Sequence, residues 1–237
     1  MKSRHEDARR RIIVPLDCPD AASALALVDR LSGRAGMFKI GLELFCAAGP
    51  DLVRCILERG ERVFLDLKLH DIPTTTALAA AACSNLRVDL LNIHLGGGER
   101  MVREVVARLR DAPQRPRLLG VTVLTSLEEG DLPALGIARP LADQVVALAR
   151  MGRDAGLDGV VASPLEIRAI KDACGAGFLV VTPGIRPEGS SAADQRRTMT
   201  PAEALAAGAD FLVIGRPITQ AEDPAEALES ILAGIHA

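Results

Sequence analysis

The chain contains no tryptophan and no tyrosine, and only 5 phenylalanines among its 237 residues. The aromatic platforms on which single-stranded nucleic acid stacks are therefore missing. An excess of positive charge is missing too. Lys and Arg total 28 against 31 Asp and Glu, a net charge of −3, which does not suit a general nucleic-acid binder but leaves room for a local cationic pocket. The five cysteines, Cys18, Cys46, Cys55, Cys83 and Cys174, are odd in number and form no C-x-x-C pair. That argues against a disulfide framework or a zinc site and fits a reducing, cytoplasmic compartment. No apolar run approaches the roughly 20 residues needed to span a membrane. The opening MKSRHEDARRR lacks the apolar stretch of a signal peptide. The expectation is a cytoplasmic protein with neither membrane nor nucleic acid as partner. Residues 1–11 are expected to be a polar, solvated arm.

What is present is apolar and regularly spaced. Hydrophobic residues make up 49% of the chain. They gather in eight short runs: IIVPLD from Ile12, MFKIGLEL from Met37, RVFLDLKL from Arg62, DLLNIHL from Asp89, RLLGVTVLT from Arg117, DGVVAS from Asp158, FLVVTPG from Phe178 and DFLVIGRP from Asp210. Such nearly continuous Val, Ile and Leu suit strands buried on both faces. Amphipathic stretches lie between them, as where Met101, Val105 and Leu109 recur at helical spacing. Pro50, Pro140, Pro164, Pro201 and Pro224 sit near the starts of such stretches, where a missing N–H costs least. Ala155-Gly156-Leu157-Asp158 and Ala207-Gly208-Ala209-Asp210 form a weak repeat ahead of two strands, with Gly60 similarly placed before a third. Glycine just past a helix end accepts a left-handed cap.

Eight strand–helix units predict a single (β/α)8-barrel domain over residues 12–237, a size normal for that fold at about 250 residues. An open doubly wound sheet is the alternative, but the first turn lacks G-x-G-x-x-G. Gly96-Gly97-Gly98 follows the fourth strand and is expected to be a plain loop. Residues 183–197 are long for a strand-to-helix connection. They read either as a surface loop or as a lid, and their place at the C-terminal end of the seventh strand favours the lid.

The run FLDLKLHDIPTT, residues 64–75, carries the chemistry. Strand side chains alternate, so Asp66 and Lys68 point one way, into the barrel, and Leu65, Leu67 and Leu69 the other. Asp71 follows beyond the strand end, and Pro73 stops regular pairing. A buried ion pair contributes little net stability, so charges gathered at a barrel mouth point to function. Other strand ends add Asp17, Lys39, Thr125 and Ser126, Arg186, and Gly215 with Arg216. The loops after strands seven and eight, TPGIR and IGRP, combine glycines with arginines where barrels commonly bind phosphate.

At these residues the sequence resembles the orotidine 5′-phosphate decarboxylase family. DLKLHDIPTT resembles its signature, and VTVLTS, TPGIRPEGS and DQRR followed by TP resemble its bacterial branch. The resemblance implies decarboxylation of orotidine 5′-phosphate to UMP, the last step of pyrimidine nucleotide synthesis, without metal or cofactor. It implies Lys68 as the proton donor to C6, flanked by Asp66 and Asp71, with Lys39 completing an alternating charge array. Asp17 and Lys39 would hold the ribose hydroxyls, and Thr125 and Ser126 the pyrimidine edge. Arg186, Gln195, Gly215 and Arg216 would hold the phosphate side, with Gln195 bridging toward the base. Asp71 and Thr75 would reach the neighbouring subunit's site, implying a homodimer, and Ile72 belongs to the implied substrate-binding set. His70 and His94 are expected to be structural. Magnesium-dependent lyases of the hexulose-phosphate synthase type also resemble D-x-K-x-x-D, but tend to carry a metal-binding Glu where this chain has Lys39.

Overall fold

The computed structural model describes residues 2–187 and 198–235. Eight parallel strands close into a barrel in chain order. They are β1 (Ile12–Pro15), β2 (Met37–Gly41), β3 (Val63–Leu69), β4 (Leu90–His94), β5 (Arg117–Val121), β6 (Gly159–Val161), β7 (Leu179–Thr182) and β8 (Phe211–Val213). Each lies within one of the eight apolar runs. The helices are α1 (Lys2–Arg10), α2 (Ala21–Leu31), α3 (Leu42–Glu58), α4 (Pro73–Ser84), α5 (Gly98–Leu109), α6 (Leu141–Asp154), α7 (Ile167–Cys174), α8 (Pro201–Ala207), α9 (Arg216–Thr219) and α10 (Pro224–Gly234). None of the described helices is long and apolar enough to cross a membrane.

Period-two alternation sorts the strand residues into two cores. Ile13, Met37, Phe64, Leu90, Leu119, Val181, Phe211 and Val213 fill the barrel interior. Val14, Phe38, Leu65, Leu91, Leu118 and Leu212 face outward and pack with the helices. Full burial of such a side chain contributes about 1.5–3 kcal/mol relative to exposure.

The floor of the barrel, at the strands' N-terminal ends, is held by one device used three times. Asp89, Asp158 and Asp210 stand directly before β4, β6 and β8. Each donates its own N–H to a carbonyl on the preceding strand, that of Val63, Leu118 and Val180 respectively. Each carboxylate accepts the N–H of the same residue in return, at 3.0, 2.6 and 2.7 Å. A cation completes each pair: Arg62 at 2.8 Å, Arg115 at 2.9 Å and Lys171 at 2.7 Å. This explains the aspartate in the AGLD and AGAD repeat. Two residues earlier, Gly156 (φ 96°) and Gly208 (φ 107°) take the left-handed conformation. Before Asp89 that slot holds Arg87, at φ 65°, a backbone region costly for any side chain.

Before β2 the position equivalent to these aspartates is Gly36. A Cβ there would lie 2.3 Å from the Arg9 carbonyl, so the end of α1 is docked where the other pairs have a carboxylate. Ala8 is buried, and His5 reaches Glu229 of α10 at 3.5 Å. The polar N-terminal segment, expected to be a solvated arm, is a helix with a solvated outer face whose end is docked against the barrel floor. The glycine triplet is also more ordered than a plain loop. Leu95–Gly97 forms a 3-10 turn, Gly98 opens α5 at φ 82°, and Met101 Sδ leaves no room for a Cβ on Gly97. Pro50 lies inside the span of α3, where Gly49 (φ 66°) breaks the helix and Pro50 starts its second half.

Candidate active site

Three neighbouring strands place an apolar residue in the inner core and a polar one two positions later, nearer the mouth: Met37 then Lys39, Phe64 then Asp66, and Leu90 then Asn92. The polar side of the mouth therefore lies on β2, β3 and β4, while β5 continues with buried Val121. Asp17 joins from two residues beyond β1. It is left free to do so because Asp20, which accepts the Ser23 N–H, caps α2.

These residues form a line of alternating charge. Asp17 Oδ1 lies 3.7 Å from Lys39 Nζ, and Lys39 Nζ lies 3.3 Å from Asp66 Oδ2. Lys68 Nζ donates to Asp66 Oδ1 at 2.7 Å. Asp66 is 8% exposed. Removing a carboxylate from water costs several kcal/mol and is offset only by well-placed charges and donors. Asp66 has two ammonium groups and a third donor, the Asn92 side-chain amide, at 2.6 Å.

Asp66 reaches the interior by simple alternation. Lys68 does not. Leu65 pairs with Leu91 and Leu69 with Ile93, so a four-residue step on β3 faces a two-residue step on β4. Within this irregularity Lys68 adopts φ 51°, and its N–H is received by Asn92 Oδ1 at 2.8 Å. The expectation that alternation alone aligns Asp66 with Lys68 is corrected to that extent: a bulge re-aims the lysine. Asn92 was not singled out from the sequence. Its inward parity with Leu90, in the otherwise apolar run LLNI, was the available signal.

His70 and His94 stack beside this bulge, with ring centroids 5.0 Å apart and planes 13° off parallel. His94 Nδ1 accepts the Gly96 N–H at 3.0 Å, which leaves Nε2 to carry the proton of the neutral ring. Burial, and then the neighbouring His70 and Lys68, hold His94 below the ordinary histidine pKa.

Asp71, Ile72 and Thr75 are exposed at the start of α4. Among the described residues Asp71 joins no ion pair. Its carboxylate accepts the Ile72 N–H at 2.6 Å, and its own N–H goes to Thr76 Oγ1 at 3.1 Å. Within one chain, Asp71 therefore stands outside the charged line. Thr125 and Ser126 do not end β5 as expected. The strand stops at Val121, paired with Val161, the last residue of the short β6, and Thr122 bonds back to the Val161 carbonyl at 3.1 Å. Without a further ladder partner the chain leaves the sheet. Thr125 and Ser126 become the exposed centre of a turn closed by Leu127 N–H to Leu124 O at 2.9 Å.

Beyond β8, which pairs with β1, Gly215 precedes α9, and Arg216 is its first residue. A Cβ on Gly215 would sit 3.1 Å from Pro15 Cγ and 4.0 Å from Asp17 Oδ2, so this glycine abuts the start of the charged line. Arg186 is half-buried beyond β7. Its N–H bonds to the Met199 carbonyl at 3.0 Å, and its Nη1 to the Ile185 carbonyl at 3.0 Å. Gln195 and most of the proposed lid lie outside the described residues.

No group of three or more His, Cys, Asp or Glu among the described residues is arranged to hold a metal ion. At the charged line, any divalent cation would have to displace Lys39 and Lys68 from Asp66. What the arrangement offers instead is an ammonium group, itself partly exposed, held at a defined point over a mouth of balanced charge.

The model of the orotidine 5′-phosphate decarboxylase / HUMPS family matches residues 10–231. The chain is 56% identical over 234 residues to an orotidine 5′-phosphate decarboxylase of Moorella thermoacetica, covering 96% of this chain and 93% of that protein. It is 48% identical over 230 residues to the protein of that name from Trichlorobacter lovleyi, covering 96% and 95% respectively. Among solved structures it is similar to orotidine 5′-phosphate decarboxylase from Lactobacillus acidophilus, with a TM-score of 0.85 and 36% identity, over 96% of this chain and all (100%) of that one.

Proposed function

The chain belongs to the orotidine 5′-phosphate decarboxylase / HUMPS family, and from that premise we propose that it is the carboxy-lyase converting orotidine 5′-phosphate to UMP and CO2 in pyrimidine nucleotide synthesis. The observation that carries this reading is the line Asp17–Lys39–Asp66–Lys68 at the barrel mouth. It favours the decarboxylase over a metal-dependent lyase of the same family, because Lys39 and Lys68 already neutralise the carboxylate that a divalent cation would need.

Breaking the C6–carboxylate bond releases CO2 and leaves the electron pair on C6, in the ring plane, where the π system cannot take it up. A fixed cation stabilises such charge most when it is already in place and partly shielded from water. Lys68 supplies that cation. It then donates its proton to C6 and recovers one from solvent. Asp66 orients the Lys68 ammonium, and Lys39 holds Asp66 from the other side. No cofactor enters this scheme.

The rest of the site is assigned by the same reading. Asp17 and Lys39 take the ribose hydroxyls, and Thr125 and Ser126 the pyrimidine edge. Arg186, Gly215, Arg216 and Gln195 take the phosphate side, and the 183–197 segment closes over the ligand so that remote binding energy orders the charges. Residues 12–237 act as one catalytic domain, with 1–11 appended to it. The protein works in the cytoplasm as a homodimer, in which Asp71 and Thr75 complete the neighbouring site, and Ile72 joins the substrate-binding set. Ile72 at the start of α4 and Leu78 within it, 67% and 51% exposed, support that pairing as apolar surface awaiting cover.

The test is ultraviolet absorbance of orotidine 5′-phosphate with purified protein in excess EDTA. Steady conversion to UMP is expected. Loss of turnover on chelation, restored by magnesium, would overturn the metal-free scheme, and no conversion under either condition would refute the assigned reaction and favour the metal-dependent lyase.

A further inference from the structure

Asn92 is wholly buried, and both ends of its amide are committed to the two residues at the centre of the site. Its Oδ1 accepts the backbone N–H of Lys68 at 2.8 Å, and its Nδ2 donates to Asp66 Oδ1 at 2.6 Å. That same Asp66 oxygen receives Lys68 Nζ at 2.7 Å. The four groups close a ring running from the Lys68 backbone through Asn92 and Asp66 to the Lys68 ammonium.

The amide can face only one way. A backbone N–H can only donate and a carboxylate can only accept, so the reversed amide would set donor against donor and acceptor against acceptor. The position is also an unfavourable place for an amide on packing grounds alone. Leu90 sits below it on the same strand face, and Leu119 stands opposite it on β5, so a leucine would fill the layer without needing partners. Lys68, for its part, has a left-handed backbone at φ 51°, a conformation that persists only where surrounding bonds impose it.

We infer that Asn92 is a positioning residue for the decarboxylation, fixing Lys68 at its backbone and, through Asp66, at its ammonium group. The inference rests on the decarboxylase reading of the site. Asn92 itself touches no reacting atom. It holds the bulge that re-aims Lys68 and removes the freedom of Asp66 to rotate away.

The test compares three full-length proteins: unmodified, Asn92→Ala and Asn92→Asp. It reads kcat and KM for orotidine 5′-phosphate, UMP affinity by calorimetry, and folding by circular dichroism. Misplacing a catalytic group by about 1 Å costs on the order of a hundredfold in rate, and that is the loss of kcat expected for Asn92→Ala. KM and UMP affinity stay within about threefold, because the lost interaction acts on the chemical step.

Asn92→Asp carries the test if the alanine variant fails to fold. The charged groups facing position 92 are Asp66 and Lys68, both from β3, while β5 presents only Leu119. An ionised Asp there opposes Asp66, but a protonated one restores a donor. The activity of Asn92→Asp relative to the unmodified protein therefore climbs as pH falls.

A folded Asn92→Ala with kcat within about threefold of the unmodified protein, or an Asn92→Asp ratio that is flat or falls on acidification, overturns the inference. An unmodified protein that does not decarboxylate overturns the functional reading itself, and the two failures are told apart by that control.

Discussion

At the floor of the barrel Asp89, Asp158 and Asp210 each have one cation and one backbone N–H. At the mouth Asp66 is shared by two lysines and an asparagine. The chemical parts are the same, but the balance differs. Each floor pair closes locally and ties one strand to the next, so its energy goes into register and fold. At the mouth, Lys39 and Lys68 crowd one carboxylate, the strand carrying Lys68 bulges, and the lysine backbone is held left-handed. Nothing in that arrangement favours stability over a leucine-filled layer. Charges arranged at such cost are what the proposed decarboxylation would require.

The comparison is broken most sharply by Lys68→Ala. Losing a general acid removes about 10²–10⁴-fold in rate, and losing a preorganised charge removes about 10²–10³. Turnover should therefore fall by roughly 10⁴-fold or more, while the thermal midpoint stays within a few degrees of the unmodified protein. Substrate depletion followed beside a melting curve checks both halves. Asp158→Asn should do the reverse. It weakens a charge-assisted bond to the Leu118 N–H, so urea denaturation should show a loss of about 1–2 kcal/mol, with kcat/KM unchanged.

Within the floor itself, Arg87 sharpens the pattern. It fills the left-handed slot that Gly156 and Gly208 fill before the other aspartates. Arg87→Gly should raise stability by about 0.5–1 kcal/mol, relief of the left-handed strain being partly offset by a freer unfolded chain. Equal or lower stability in the same denaturation experiment would show that the arginine side chain compensates its backbone. The smallest expected effect lies at the mouth. His94 is held below the ordinary value of 6.5 by burial and by the nearby His70 and Lys68. As pH falls through 6.5 the unfolded chain binds a proton before the folded one does. Stability is therefore full above that pH and is lost on acidification until the folded histidine also protonates. Melting temperatures from pH 8 to pH 5 should drop less in His94→Gln than in the unmodified protein, and equal slopes would assign the acid sensitivity elsewhere.

The two ends of the barrel differ in how far the amino-acid sequence reveals them. The eight strands were legible because parallel strands buried on both faces read as apolar runs, and Asp66 was legible because parity with Phe64 sends it inward. The AGLD and AGAD repeat pointed to the floor device, but only the carboxylate bonds to Leu118 and Val180 explain its aspartate. Lys68 was singled out from its motif, but its alignment with Asp66 rested on an incomplete geometric reason, since a bulge depends on pairing with β4 and has no local periodic signature. Asn92 was hidden because one polar residue in an apolar run acquires meaning only from its partners across the sheet. The docking of α1 was hidden because it depends on Gly36, far along the chain, having no side chain. Thr125 and Ser126 were placed too near β5 because a strand's end is set by the length of its neighbour, here the three residues of β6.

The most direct test of the account is CO2 release from carboxyl-labelled orotidine 5′-phosphate, measured side by side for the unmodified protein, Lys68→Ala and Asp158→Asn at equal folded concentration. Release by the unmodified and Asp158→Asn proteins at matching rates, with Lys68→Ala near the uncatalysed background, is the result expected of a mouth that does chemistry on a floor that does not. Comparable release by Lys68→Ala, or no release by the unmodified protein, would contradict it.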